Sequence, residues 1–182
     1  MKTTHKIIII DLEATCWKGP VPEGEVNEII EIGICILNTE TFEISQNEGI
    51  LIHPERSTVS PFCTELTTIT QELLDAEGIF FEKACERVRT QYNGHYHTWA
   101  SYGDYDRNMM KRQCLFRKVD YPLSQDHINV KELFAKTRGV RKTGMTGALA
   151  QLGIPLEGTH HRGVDDAKNI AKILAWCLNQ YE

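Results

Sequence analysis

No two of the six cysteines form a Cys-x-x-Cys pair, and their spacing with the histidines fits no zinc site. A zinc ribbon and a disulfide framework are therefore disfavoured, and Cys16, Cys35, Cys63, Cys85, Cys114 and Cys177 read as reduced, mostly buried thiols. No apolar run approaches the roughly 20 residues that a membrane span needs. The isoleucines near the N-terminus are too few for a secretory signal and lack a small-residue cleavage pattern. The expectation is a soluble cytoplasmic protein with no membrane association. Internal repeats, low-complexity tracts and long linkers are also missing, so at 182 residues the chain is expected to be one domain, 1–182. A net basic charge is lacking as well: the total is −5, which taken alone argues against nucleic acid.

What is present changes that last inference. Residues 1–100 carry 7 Lys and Arg against 16 Asp and Glu, whereas residues 101–182 carry 13 against 9. The basic residues gather in Arg107, Lys111, Arg112, Arg117 and Lys118, and again in Lys131, Lys136, Arg138, Arg141 and Lys142. A local field of this kind can hold a phosphate backbone under an acidic total. Hydrophobic content of 41% and charged content of 25% are ordinary for a globular chain.

The run Ile7-Ile8-Ile9-Ile10 predicts a strand buried on both faces, and it ends in Asp11-Leu12-Glu13. Side chains alternate along a strand, so Asp11 and Glu13 share one side. Ile29 to Leu37 predicts a second strand and Thr41 to Ile52 a third, with a turn at Asn38-Thr39-Glu40. A short helix is expected over Thr64 to Gln71, and a longer one over Ile79 to Gln91 with Phe80, Ala84 and Val88 one per turn. A fourth strand, His97 to Tyr102, leads into a basic helix from about Asp106 to Phe116. Asp126 to Val130 predicts a fifth strand followed by a helix, and Gly144 to Leu152 a further short helix. The last helix, Arg162 to about Asn179, has an apolar stripe of Val164, Ala167, Ala171, Leu174 and Leu178. Three strands, then strands alternating with helices, predict an α/β fold: a mixed five-stranded sheet flanked by helices, with sites at the carboxyl ends of strands.

Two more groups of acids lie at such positions. Asp104 and Asp106 follow the fourth strand across a glycine, where either can cap the next helix or face a ligand. Asp165 and Asp166 sit in the first turn of the last helix, just after His160-His161-Arg162-Gly163. A helix N-terminus favours acids without any further role, but here two of them follow a histidine pair, and histidine is the side chain whose ordinary pKa suits proton transfer near neutral pH.

Asp11-x-Glu13, an aspartate at a strand-to-helix exit, and a histidine five residues before an aspartate resemble the DEDDh branch of the proofreading, DnaQ-like exonuclease superfamily. DLEATC, SYGDYD, HINVKELFA and HHRGVDDAKNIAKIL are most similar to the enhancer-of-RNA-interference type of 3′-to-5′ exoribonuclease, over Ile7 to Leu174. The resemblance implies a ribonuclease H-like sheet and two divalent cations, Mg²⁺ or Mn²⁺. It implies as metal ligands Asp11, Glu13, Asp106 (which follows an aromatic, Tyr105) and Asp166 (which precedes the small Ala167). It implies His161 as general base, with Glu13 also counted as catalytic, and Glu13, Ala14 and His161 against the terminal nucleotide. The implied substrate is a nucleic acid with a free 3′ end, RNA before DNA, cut to nucleoside 5′-monophosphates; protein partners are not implied. Two positions depart from the pattern: Ser101-Tyr102 stands where many relatives have His-Asn, and Thr67-Thr68-Ile69 where Thr-Gly-Ile is common. Trp17 and Tyr105 are candidate stacking platforms, Trp99 is expected in the core, and His160 is read as structural. The alternatives are a DNA exonuclease or oligonucleotide nuclease of the same fold, and a non-catalytic nucleic-acid-binding module.

Overall fold

The computed structural model describes residues 5–180. Its one sheet has five strands in the order β3-β2-β1-β4-β5: β1 Lys6–Ala14, β2 Ile29–Asn38, β3 Ile44–Leu51, β4 Thr98–Ser101 and β5 His127–Asn129. β1 to β3 form an antiparallel meander, and β4 and β5 add in parallel on the other side of β1. β1 is thus the central strand, as its isoleucine run requires: Ile8, Ile9 and Ile10 are fully buried.

Strand alternation sorts the core into two layers. Ile8, Ile10 and Leu12 face α3 (Phe81–Gln91) and α4 (Tyr105–Arg117) through Phe81, Val88, Met109 and Met110. Ile7 and Ile9 face α5 (Val130–Arg138), α6 (Met145–Leu152) and α7 (Gly163–Asn179) through Phe134, Leu149, Ile170 and Leu174. A smaller cluster of Ile30, Cys63, Ile69 and Leu74 seats α1 (Pro61–Thr67) and α2 (Gln71–Glu77). The six cysteines are free thiols, five of them buried. Among the described residues no helix is long and apolar enough to cross a membrane.

Two sequence expectations need correction. The helix expected over Thr64 to Gln71 is two helices. The Ser60 hydroxyl caps the first by accepting from Cys63 N at 3.0 Å, with Pro61 in its first turn, and Thr68 ends it in the left-handed region at φ +63°. Thr70 then caps the second through Leu73 N. The apolar stripe of α3 is shifted by one residue: Phe81 is buried with Ala84, Cys85 and Val88, whereas Phe80 is the exposed N-cap. Two adjacent phenylalanines carry no phase of their own, and packing chose the second.

Candidate active site

Asp11 and Glu13 continue the side of β1 that carries Ile7 and Ile9, so both face α7. On β2 their register partners are Gly33 and Glu31. The β1–β2 pairing shifts between Glu13 and Ala14, an irregularity of the kind that re-aims side chains beside active sites. α7 begins against this spot because two glycines allow it: a Cβ on Gly33 would lie 1.8 Å from the Gly163 carbonyl carbon, and one on Gly163 would lie 3.0 Å from Asp11 O. The first turn of α7 therefore arrives on the carboxylates of β1. Ligand oxygens of Asp11, Glu13 and Asp166 can all lie within 4.8 Å of one another, and His160, His161 and Asp166 form a second such group.

Asp106 joins from the first turn of α4. It is buried, and its Oδ1 accepts from the backbone N–H of Leu12, between Asp11 and Glu13, at 2.9 Å. After burial it is the largest contributor to the rise in the Asp11 pKa. Of each adjacent acid pair, one member is spent on structure: Asp104 pairs with Arg107 at 2.7 Å, and Asp165 accepts from Thr159 N at 2.8 Å.

The electrostatics are those of a site built for cations. Burial, then Asp106, Glu13 and Asp166, raise the Asp11 pKa well above the carboxylate range. Glu13 is pushed up to about 9 by burial first, then Asp166 and Glu31. Asp106 rises to about 6 through burial, opposed by hydrogen bonds from Leu12 N, its own backbone and Ser101. Asp166 is also raised by burial, and its Oδ1 is buried with no hydrogen-bond partner. Repelling carboxylates with an unpartnered buried oxygen fit hard, oxygen-seeking divalent ions.

His161 has φ +65°, and it is its backbone N–H, not its ring, that donates to Asp166 Oδ2, at 2.9 Å. Burial, then His160, lower its pKa, favouring the neutral ring. His160, read from sequence as structural, is part of the site: its Nδ1 lies 2.9 Å from Asp166 Oδ2 and its ring stacks on His161 at 3.9 Å. Sequence reading also missed Glu31, which is 0% exposed. It accepts from Gly163 N at 2.7 Å and from Arg162 at 3.3 Å, clasping the start of α7 to the sheet. The available signal was a lone acid inside the apolar run Ile29-Ile30-Glu31-Ile32. Ala14 ends β1, and its carbonyl accepts from Cys63 Sγ at 3.6 Å. Trp99 is buried as expected, Trp17 is partly exposed, and Tyr105 is exposed at the start of α4.

A family model described as "Exonuclease" (RNase_T) matches residues 8–174. The chain belongs to the exonuclease family. The human 3′-5′ exoribonuclease 1 is 35% identical over 177 residues, covering 92% of this chain and 50% of that protein. The chain thus spans about half the length of the first curated relatives it matches. Among solved structures, the nuclease domain of 3′hExo, a DEDDh family member bound to rAMP, matches with TM-score 0.87 and 32% identity over 98% of this chain and 94% of that one. A 3′-exonuclease in a structure of 3′-end specific recognition of histone mRNA stem-loop matches with TM-score 0.84 and 32% identity, covering 97% of this chain and 82% of that one. The fold is ribonuclease H-like, and membership of this family implies use of divalent metal.

Proposed function

We propose that this chain is one exonuclease domain that removes nucleotides from a free 3′ end of RNA, releasing nucleoside 5′-monophosphates. The observation that carries the proposal is the meeting of Asp11, Glu13 and Asp166 within 4.8 Å, with His161 beside them. Asp11, Glu13, Asp106 and Asp166 would hold two divalent cations, Mg²⁺ or Mn²⁺. Bound there, such ions supply acidification of a water and stabilisation of the departing 3′ oxygen.

The chain's own groups do the rest. His161, neutral at working pH, accepts the proton of the attacking water; positioned general bases typically contribute about 10²- to 10⁴-fold. The Glu13 carboxylate and the Ala14 backbone border the terminal nucleotide. Tyr105 and Trp17 offer aromatic faces to its base. Basic side chains of α4, which starts beside Asp106, hold the phosphates behind it. The reduced thiols are in keeping with a cytoplasmic setting. RNA is placed before DNA on the relatives' chemistry.

The test is a 5′-labelled RNA and the matching DNA, each with Mg²⁺, Mn²⁺ or chelator. A ladder shortening from the 3′ end, on RNA and only with metal, is the expected result. Equal digestion of DNA would overturn the sugar preference, and binding without shortening would make the chain a non-catalytic module.

A further inference from the structure

α4 leads away from the carboxylates to a second concave site. A cavity of about 350 Å³ opens between the loop after β1 and the outer part of α4, walled by Val21, Val26, Asn27, Arg112, Phe116 and Arg117. Clefts for small ligands run from about 300 to 1,000 Å³, so this one suits a single base with its sugar. Phe116 is 57% exposed, and the Arg56 guanidinium lies 5.1 Å from its ring centre. An open phenyl ring and a guanidinium plane are the surfaces on which unpaired bases stack. The Asn27 amide NH₂ donates to Thr15 O at 2.7 Å, which leaves its carbonyl as an acceptor for an amino group.

Glu25 and Glu28 also line this cavity, and both carboxylates are taken up by backbone N–H groups. Glu28 accepts from the backbone N–H groups of Glu55, Arg56 and Ser57, and Glu25 from that of Thr58. Arg117 is paired with Glu55 and Glu82. Among the described residues Arg56 and Arg112 have no carboxylate partner; Arg112 only donates to Met109 Sδ at 2.7 Å. Along the α4 axis, Arg112 is about 9 Å and Phe116 about 15 Å from Asp106, at 1.5 Å per residue. Bases stacked at about 3.4 Å cover that span in roughly three to four nucleotides, and a stretched strand covers it in fewer.

We propose that this cavity is a nucleobase subsite for one unpaired base a few nucleotides upstream of the 3′ end, with Arg56 and Arg112 against the adjoining phosphates. The proposal rests on the exoribonuclease reading and adds a second point at which the strand is gripped. A strand too short to reach the cavity loses that grip, and a base held in a duplex cannot enter it.

The test uses the full chain with Mg²⁺ and a 5′-labelled single-stranded RNA carrying one abasic nucleotide. Digestion should pause twice, once when the lesion reaches the terminal position and once earlier, two to five nucleotides upstream of that position. At the earlier pause the KM should rise about five- to 150-fold, the range of single base–aromatic stacking. Phe116→Ala should abolish the earlier pause and keep the terminal one. Val21→Asp should do the same from the opposite wall, so a folding defect in one variant does not decide the outcome. A single terminal pause in the wild type, or an earlier pause that persists in both variants, would overturn the subsite while leaving the exoribonuclease reading intact. No shortening of the undamaged RNA would overturn both.

Discussion

At the scale of residues, the site is a concentration of negative charge that folding alone would not favour. Asp11, Glu13, Asp106 and Asp166 are drawn from three separate elements, and each has its pKa raised by burial. Active sites commonly store such destabilisation. Asp11→Asn replaces, at constant shape, a carboxyl group that burial forces toward its neutral form, so it should make the metal-free protein more stable by about 1 kcal/mol, or about 2–4 °C in Tm for a chain of this size. The same variant should lose metal-dependent cleavage and most of the thermal shift on adding Mg²⁺. Melting curves in chelator and in Mg²⁺, beside the RNA ladder, check all three effects. The DxE at the end of an apolar run was legible because strand alternation dictates where those side chains point. Asp104 against Asp106, and Asp165 against Asp166, could not be separated by residue type. The resemblance chose Asp106 and Asp166 by their neighbours Tyr105 and Ala167, and in the structure Asp104 pairs with Arg107 while Asp106 reaches the backbone of β1 and Asp166 lies beside Asp11 and Glu13.

At the scale of elements, the decisive contact is backbone against backbone. The start of α7 reaches β1 and β2 only because Gly33 and Gly163 carry no side chains. Gly33→Ala would push a methyl group into the Gly163 carbonyl, displacing Asp166 and His161 together. Overpacking of this kind typically costs about 1–3 kcal/mol, and rigid main chain should put this case at the upper end. The variant should lower the urea midpoint and reduce activity far more than stability, since the histidine loop moves away from Asp11 and Glu13; urea titration and RNA cleavage measured on one preparation would test it. Most strands and helices were legible from periodicity. The α1–α2 corner was not: Thr68 occupies a left-handed position that the sequence pattern assigns to glycine, a sterically poor place for a β-branched residue. Its hydroxyl lies 3.4 Å from Arg162, which in turn holds Glu31. Such a tertiary contact leaves no periodic trace in the chain.

At the scale of the whole molecule, the carboxylates make stability depend on pH in an uncommon direction. Glu13 has a folded pKa of about 9 against an ordinary value of 4.5, so between these the native state binds a proton that the unfolded chain does not. Stability is therefore fully present below the ordinary value and is lost as pH rises through about 9. His127, held neutral by burial, Arg107 and Lys111 against the pull of Asp104, has a pKa of about 4 and acts in the opposite sense, but only below about 6.5. Between pH 6.5 and 9, in chelator, the Tm should fall; with saturating Mg²⁺ the fall should shrink, and in Glu13→Gln it should be reduced, the remainder coming from Asp11, whose pKa burial also raises. A Tm that stays level in chelator across that range would show that Glu13 is ionised throughout. The charge asymmetry between the two parts of the sequence also finds its place here, since the exonuclease fold sets the basic α4 beside an acidic cleft that metal would neutralise.

The hydrogen bond from Leu12 N to Asp106 Oδ1 gives the central strand a built-in reporter. Leu12 is buried, so its amide proton exchanges with solvent only when the contact between β1 and α4 opens. Its magnetic environment, however, depends on the charge of the Asp106 oxygen, which would ligate the metal. Titrating Mg²⁺ into ¹⁵N-labelled protein should therefore move the Leu12 amide resonance with saturation, while the amides of Ile8 and Ile9, deeper in the same strand, stay nearly still. One backbone signal would then read cation occupancy without any substrate present.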